Sequence, residues 1–225
     1  AVARGDDGGL RADRRANRRA DPASRRRACL ALLALLALPA RARTGAAMSA
    51  APINLATDGA RWQVVNDGVM GGVSTSQIAS DAQGLRFSGE LRTEFNGGFA
   101  SARRAVDATA LRAALTEEPV GLALVVRGDG HRYRLTVYPA DGRGGVRAYS
   151  YFAEFHTAAG VEQSHTLHWP AFRATFRGRA IPDAPPLAWR DVVGVGLMLT
   201  KDGHREGRGP FELHLVSLSP ASPGT

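Results

Sequence analysis

Leu122-Ala123-Leu124-Val125-Val126-Arg127-Gly128-Asp129-Gly130-His131-Arg132-Tyr133-Arg134-Leu135-Thr136-Val137-Tyr138 is the stretch whose reading decides the fold class. Its second half alternates. Tyr133, Leu135 and Val137 share one face and Arg132, Arg134 and Thr136 the other, the two-residue period of a strand with one buried side. Its first half is an apolar run of strand length. Gly128-Asp129-Gly130 between them is a hairpin signal, because glycine reaches the positive φ that a tight turn requires.

The pattern recurs along the chain. Strands are predicted over 62–65, 85–91, 99–106, 122–127, 132–138, 148–156, 165–169, 192–200 and 211–218, punctuated by Gly, Asp, Asn and Pro. Phe211, Leu213 and Leu215 alternate with Glu212 and His214 as cleanly as the opening stretch does. One segment departs: 107–118 places Ala108, Leu111 and Leu115 at helical spacing, with Asp107 as N-cap and Pro119 as a stop. A single short helix among many strands argues for an all-β sandwich with a helical connection. An α/β sheet would need strands and helices in alternation, and no internal repeat is visible.

Charge separates the chain into two parts. The net charge is +8 over 225 residues, but residues 1–47 hold 11 Arg and 4 Asp, so +7 of it lies there and the remainder carries +1. A nucleic-acid-tracking surface on the body is therefore not expected. Arg25-Arg26-Arg27 followed by an Ala/Leu run to Leu38, then Ala40-Arg41-Ala42, has the layout of a signal peptide over 25–42, and the run is too short to span a bilayer. The expected organisation is a disordered basic leader at 1–47, a linker at 48–60, the sandwich at 61–218 and a tail at 219–225. A real leader implies a periplasmic or secreted protein; a start at Met48 implies a cytoplasmic one. The sole cysteine, Cys29, lies in the leader, so a disulfide framework or a thiol nucleophile in the body is excluded.

The body carries no phosphate loop, dinucleotide fingerprint, G-x-S-x-G or H-E-x-x-H. His165 and His168 stand three apart on a predicted strand and so point to opposite faces, which does not make a metal pair. No cofactor, metal or calcium-ligand cluster is expected. Two glycine-paired stretches are unusual. Asn66-Asp67-Gly68-Val69-Met70-Gly71-Gly72-Val73-Ser74 and Asn96-Gly97-Gly98-Phe99-Ala100-Ser101 each hold a Gly-Gly step, which permits close approach by backbone or ligand. They read either as a binding loop or as two loops crossing over the end of the sandwich. The candidate binding residues are Asn66, Asp67, Met70, Gly71, Gly72, Gly97, Gly98, Phe99, Ser101, Arg103, Arg127 and Asp129. Asp67 is expected to hold its loop by accepting backbone N–H groups, and Arg103 to offer charge to a partner.

These residues make the chain resemble the complex I intermediate-associated protein 30 family, as a bacterial member. The likeness runs from Trp62-Gln63-Val64-Val65-Asn66-Asp67-Gly68-Val69-Met70-Gly71-Gly72-Val73-Ser74 through Phe87-Ser88-Gly89 and Gly97-Gly98-Phe99-Ala100-Ser101-Ala102-Arg103. It continues with Arg127-Gly128-Asp129-Gly130 and Tyr133, Phe172, Phe176-Arg177-Gly178-Arg179, Val195-Gly196-Leu197-Met198-Leu199 and Gly209-Pro210-Phe211-Glu212-Leu213. The resemblance implies a galactose-binding-like β-sandwich, or jelly roll, and a non-catalytic, chaperone-like role. Mitochondrial members act in assembling respiratory complex I, whereas the export-type leader sets this chain apart from them.

Three functions follow as expectations. The first is a non-catalytic module binding a protein partner. The second is a carbohydrate-binding module, with Tyr138, Tyr149, Tyr151, Trp169 and Trp189 available for stacking on sugars. The third is a hydrolase using Asp67 and Asp129 with Arg103 or Arg127.

Overall fold

Alternation of one apolar and one polar residue along many short runs leaves each strand with a single face to bury, and two sheets closing face to face satisfy all of them. A computed structural model of the chain describes residues 54–56, 62–81, 83–115 and 117–223. The leader and its signal-like segment lie outside the described residues.

Twelve strands follow in order: β1 (Gln63–Val64), β2 (Thr75–Asp81), β3 (Gly84–Leu91), β4 (Phe99–Ala105), β5 (Gly121–Arg127), β6 (Arg132–Pro139), β7 (Ser150–His156), β8 (Glu162–His168), β9 (Arg173–Phe176), β10 (Arg179–Ala180), β11 (Val192–Thr200) and β12 (Gly209–Ala221). Seven form one sheet in the order β1-β4-β11-β6-β7-β9-β10, and five form the other in the order β2-β3-β12-β5-β8. Every ladder is antiparallel. The core lies between the sheets. Phe87, Leu91, Leu124, Leu213 and Leu215 enter it from the five-stranded sheet, and Tyr133, Leu135, Phe155, Leu197 and Leu199 from the seven-stranded one. Each such side chain contributes about 1.5–3 kcal/mol on burial.

The nine expected strands are present, and three more join them. β2 has one large apolar residue, Ile78, and pairs only with β3, so an edge position with a mostly exposed surface removes the alternation that marks a buried strand. β9 and β10 are short and lie at the far edge of the larger sheet. The helix α1 (Ala108–Ala113) is shorter than its periodic stretch. Asp107 caps it by accepting from the Thr109 and Ala110 N–H groups, each at 3.0 Å.

Gly128-Asp129-Gly130 does not close a hairpin. β5 already has β12 and β8 as neighbours and β6 has β11 and β7, so the turn arches from one sheet to the other. Alternation reports which face of a strand is buried, not which strand lies beside it, and an arch and a hairpin need the same glycine. Gly130 does adopt a positive φ of 96°.

Residues 54–56 are tied into the sandwich. Leu55 N–H donates to the Leu218 carbonyl at 2.6 Å, Asn54 Oδ1 accepts from Leu218 N–H at 3.1 Å, and Leu55 and Ala56 are buried.

Candidate functional site

Asn66-Asp67-Gly68 begins a single 3₁₀ turn, Asp67–Met70, that Gly71 ends at φ 90°. A second such turn, Glu94–Asn96, precedes Gly97-Gly98. The two meet at the Asp67 carboxylate, which is fully buried. Its Oδ1 accepts from Ser74 N–H at 3.0 Å. Its Oδ2 accepts from the Ser74 hydroxyl at 2.6 Å, Gly98 N–H at 2.6 Å and Phe99 N–H at 3.3 Å. Burial alone would raise the pKa of this acid, but the four donors outweigh it and hold the group below the ordinary 3.8.

This carboxylate explains the paired glycines. A Cβ on Gly72 would stand 2.4 Å from Asp67 Cγ, and one on Gly97 would stand 2.6 Å from Asp67 Oδ2. The Gly-Gly steps are where two loops close over one buried charge, so the crossing-loop reading describes their backbone. Asn66 fastens the same crossing. Its Oδ1 accepts from the Ser76 hydroxyl at 2.8 Å and Ser101 N–H at 3.3 Å, while the Ser101 hydroxyl donates to the Val65 carbonyl.

Outward from this anchor the turns present apolar side chains to water: Val69 is 73% exposed, Met70 60% and Phe95 73%. Phe95 and its neighbour Asn96 sit at φ 54° and 60°, a region an aromatic residue rarely occupies. Strain of this kind, about 1–3 kcal/mol per residue, persists only where the surroundings enforce it. Val69 and Phe95 were not among the sequence candidates. The signal for Phe95 was its place directly before Asn96-Gly97, a turn dipeptide, where an aromatic ring is poorly placed to reach a core.

Arg127 and Asp129 belong elsewhere in the fold. Asp129 Oδ1 accepts from His131 N–H at 3.1 Å. Its Oδ2 accepts from the Tyr133 hydroxyl at 2.8 Å and from Glu212 N–H at 2.6 Å, which ties the β5–β6 arch to β12. Arg127 donates to Gln83 at 3.1 Å. Asp67 and Asp129 share no bonding partner, and both spend their oxygens on structural donors. Among the described residues no group of three or more His, Cys, Asp or Glu is placed to hold a metal ion.

Behind Asp129, His131 is stacked on His204 with ring centroids 3.9 Å apart, and its Nδ1 accepts from Arg205 N–H at 3.1 Å. His165 points inward beside Phe155, its Nε2 buried without a hydrogen-bond partner. Burial lowers the pKa of both imidazoles below the ordinary 6.5; a like charge on His156 adds to it for His165, and Asp129 opposes it for His131. The unfolded chain therefore takes up these protons first as the pH falls, so stability drops from about 6.5 downward. The urea midpoint is expected to be lower at about pH 5 than at about pH 7.5, and the His131→Gln/His165→Gln double variant to flatten that difference.

Arg103 projects from the outer face of β4 and is exposed, and its charge opposes the rise that burial gives the phenol of Tyr138, on β6 of the same sheet. Of the other aromatic residues expected to stack on sugars, Tyr151 and Trp189 are buried, and Tyr149 and Trp169 are partly buried against the core. Trp169 lies 5.9 Å from Trp189 and donates its Nε1–H to the Pro119 carbonyl at 2.6 Å. With Tyr151, Phe172, Ile181, Pro185 and Leu187 it lines an apolar groove of about 690 Å³.

The fold is similar to the family 11 carbohydrate-binding module of the cellulosomal cellulase Lic26A-Cel5E of Clostridium thermocellum, at a TM-score of 0.53 and 10% identity over 76% of this chain and 94% of that one. A structure of the Clostridium thermocellum family 11 module with a β-1,3-1,4-mixed-linked tetrasaccharide matches at 0.48 and 11% identity, over 72% and 89%. The agarase AgWH50C matches at 0.40 and 12%, over 72% of this chain and 22% of its own. Among curated proteins none matches. The architecture is a galactose-binding-like β-sandwich. The model of the complex I intermediate-associated protein 30 (CIA30) family matches residues 53–215, from the Leu55 anchor to β12 and across both turns on Asp67, and the chain belongs to that family.

Proposed function

We propose that the domain is a non-catalytic interaction module that binds a protein partner through the rim built on Asp67. The observation that carries this reading is the exposure of Val69, Met70 and Phe95 on two turns fixed by one buried carboxylate. Large apolar side chains held in water mark contact surfaces, and a rim already rigid loses little entropy when it docks. A non-catalytic role is supported by the state of Asp67 and Asp129, whose oxygens are committed to backbone and hydroxyl donors.

The test is a Met70→Ser/Phe95→Ser double variant of the full chain. Its side chains leave the core untouched, so stability should stay within about 0.5 kcal/mol. Proteins cross-linked to the unaltered chain in its native host should be captured at least about tenfold less by the variant. Equal capture by both would sink the reading.

A second reading, a carbohydrate-binding module, is favoured by the outer face of the seven-stranded sheet, where Tyr138 and Phe152 lie among arginines. The Clostridium thermocellum carbohydrate-binding module has the same fold.

A further inference from the structure

The ladders of the seven-stranded sheet set one row of side chains across its outer face. Arg103 of β4 is opposite Gly196 of β11, Gly196 opposite Thr136 of β6, Thr136 opposite Phe152 of β7, and Phe152 opposite Arg173 of β9. Five strands at the usual spacing make this row about 19 Å long, several sugar rings end to end. The row on one side of it runs Ser101, Met198, Arg134, Glu154, and the row on its other side holds Ala105, Gly194 and Tyr138.

Two glycines sit at the middle of this face, in a strand otherwise made of Val, Leu, Met and Thr. A Cβ on Gly194 would meet Tyr138 Cβ and Cδ2 at 3.4 Å, and one on Gly196 would meet Tyr138 Cε2 at 3.3 Å. The absence of side chains there lets the Tyr138 ring lie down across the sheet, over Gly194 and Gly196. Phe152 is covered by the Arg134 guanidinium, 4.4 Å from its ring centre. The result is a low platform of aromatic and small residues with a guanidinium at each end.

The charge on this face is lopsided. Arg103, Arg132, Arg134 and Arg173 project from it against one carboxylate, Glu154, which both Arg132 and Arg134 reach, at 3.5 and 3.0 Å. His156 is the remaining titratable group on the row positions of β7. The body as a whole carries +1, so the excess is local to this face. Arg103 and Arg173, at the two ends of the row, are exposed.

We infer that this face binds an extended acidic polysaccharide, its sugar rings laid on Tyr138 and its carboxylates held by Arg103 and Arg173. The inference rests on the carbohydrate-binding reading and narrows it to chains bearing anionic groups. A guanidinium meets a carboxylate with two parallel N–H donors, which selects planar anions over hydroxyls. A neutral glycan has no use for a surplus of three guanidinium groups. A nucleic acid would need phosphate contacts all along its backbone, whereas here the positive ends flank an uncharged stretch of Gly196, Thr136 and Phe152.

The test is affinity electrophoresis and calorimetry of the full chain with polygalacturonate, neutral mixed-linked β-glucan and a single-stranded DNA oligonucleotide. Polygalacturonate should bind, weaken with added salt, and lose at least about tenfold in affinity in the Arg103→Gln/Arg173→Gln variant. Both positions are exposed, so the variant keeps the fold. Arg86→Gln, which removes a positive charge from the opposite sheet, should leave binding unaltered. Polygalacturonate binding unchanged in the double variant would overturn the inference, as would equal binding of DNA. Binding of β-glucan alone would overturn it while leaving the carbohydrate reading in place. Failure to bind either glycan would overturn both.

Discussion

Replacing Asp67 by Ala is expected to destabilise the domain by about 4 kcal/mol, because three backbone or hydroxyl donors are left buried without an acceptor and a fourth is weakened. The affected groups are Ser74 N–H, the Ser74 hydroxyl, Gly98 N–H and Phe99 N–H. The Ser74 hydroxyl can fall back on the Arg92 carbonyl, 3.1 Å away, which limits its share. Asp67→Asn keeps the shape but turns an NH₂ group toward donors, and should lose about half as much. The acid limb of the stability profile gives an independent check. Because the folded pKa lies below 3.8, the native carboxylate contributes stability above that value which disappears as the pH falls through the folded pKa. Asp67→Asn should lack that loss. Urea denaturation measures both quantities, and a cost below about 1 kcal/mol for Asp67→Ala would mean that the carboxylate does not anchor the turns.

Asp129→Ala carries the second largest expected effect, about 3 kcal/mol. Its carboxylate ties together the β5–β6 arch, the buried Tyr133 hydroxyl and the Glu212 amide of β12. Burial, and after it the negative charge of Asp129, push the Tyr133 phenol far above its usual range, so it remains a donor at every working pH. Tyr133→Phe removes one of three bonds and should cost about 1.5 kcal/mol. The two residues share a bond, so the double variant should be less destabilised than the sum of the singles by about 1 kcal/mol in denaturant titrations. Strict additivity would show that the phenol and carboxylate do not interact.

Much of the fold was legible because it rests on local alternation. Tyr133, Leu135 and Val137 announce their buried face within six residues, and so do Phe211, Leu213 and Leu215. What alternation does not carry is the identity of the neighbour, which is why the Gly128-Asp129-Gly130 arch resembles a hairpin in sequence. β2 escaped detection because an edge strand has little to bury. The candidate site divides in the same way. Residues of the two glycine-paired stretches converge on Asp67, and the density of glycine already marks both. Arg127 and Asp129 do not join them, and only long-range pairing reveals it. The outer face of the seven-stranded sheet draws on positions 103, 138, 152, 173 and 196, which become neighbours only through four ladders. No window of sequence contains them together.

On the rim, the residues that hold the turns are separate from those the turns display. The bonds that fix the two turns are made by Asp67, Ser74 and the backbone of residues 98 and 99, whereas the side chains of Val69, Met70 and Phe95 make none of them. Displayed surface and architecture are thus written in different letters of the same segment. Substitution at the three exposed positions can therefore change the surface that is displayed while its frame stays constant, which makes the rim a ready frame for a randomised library.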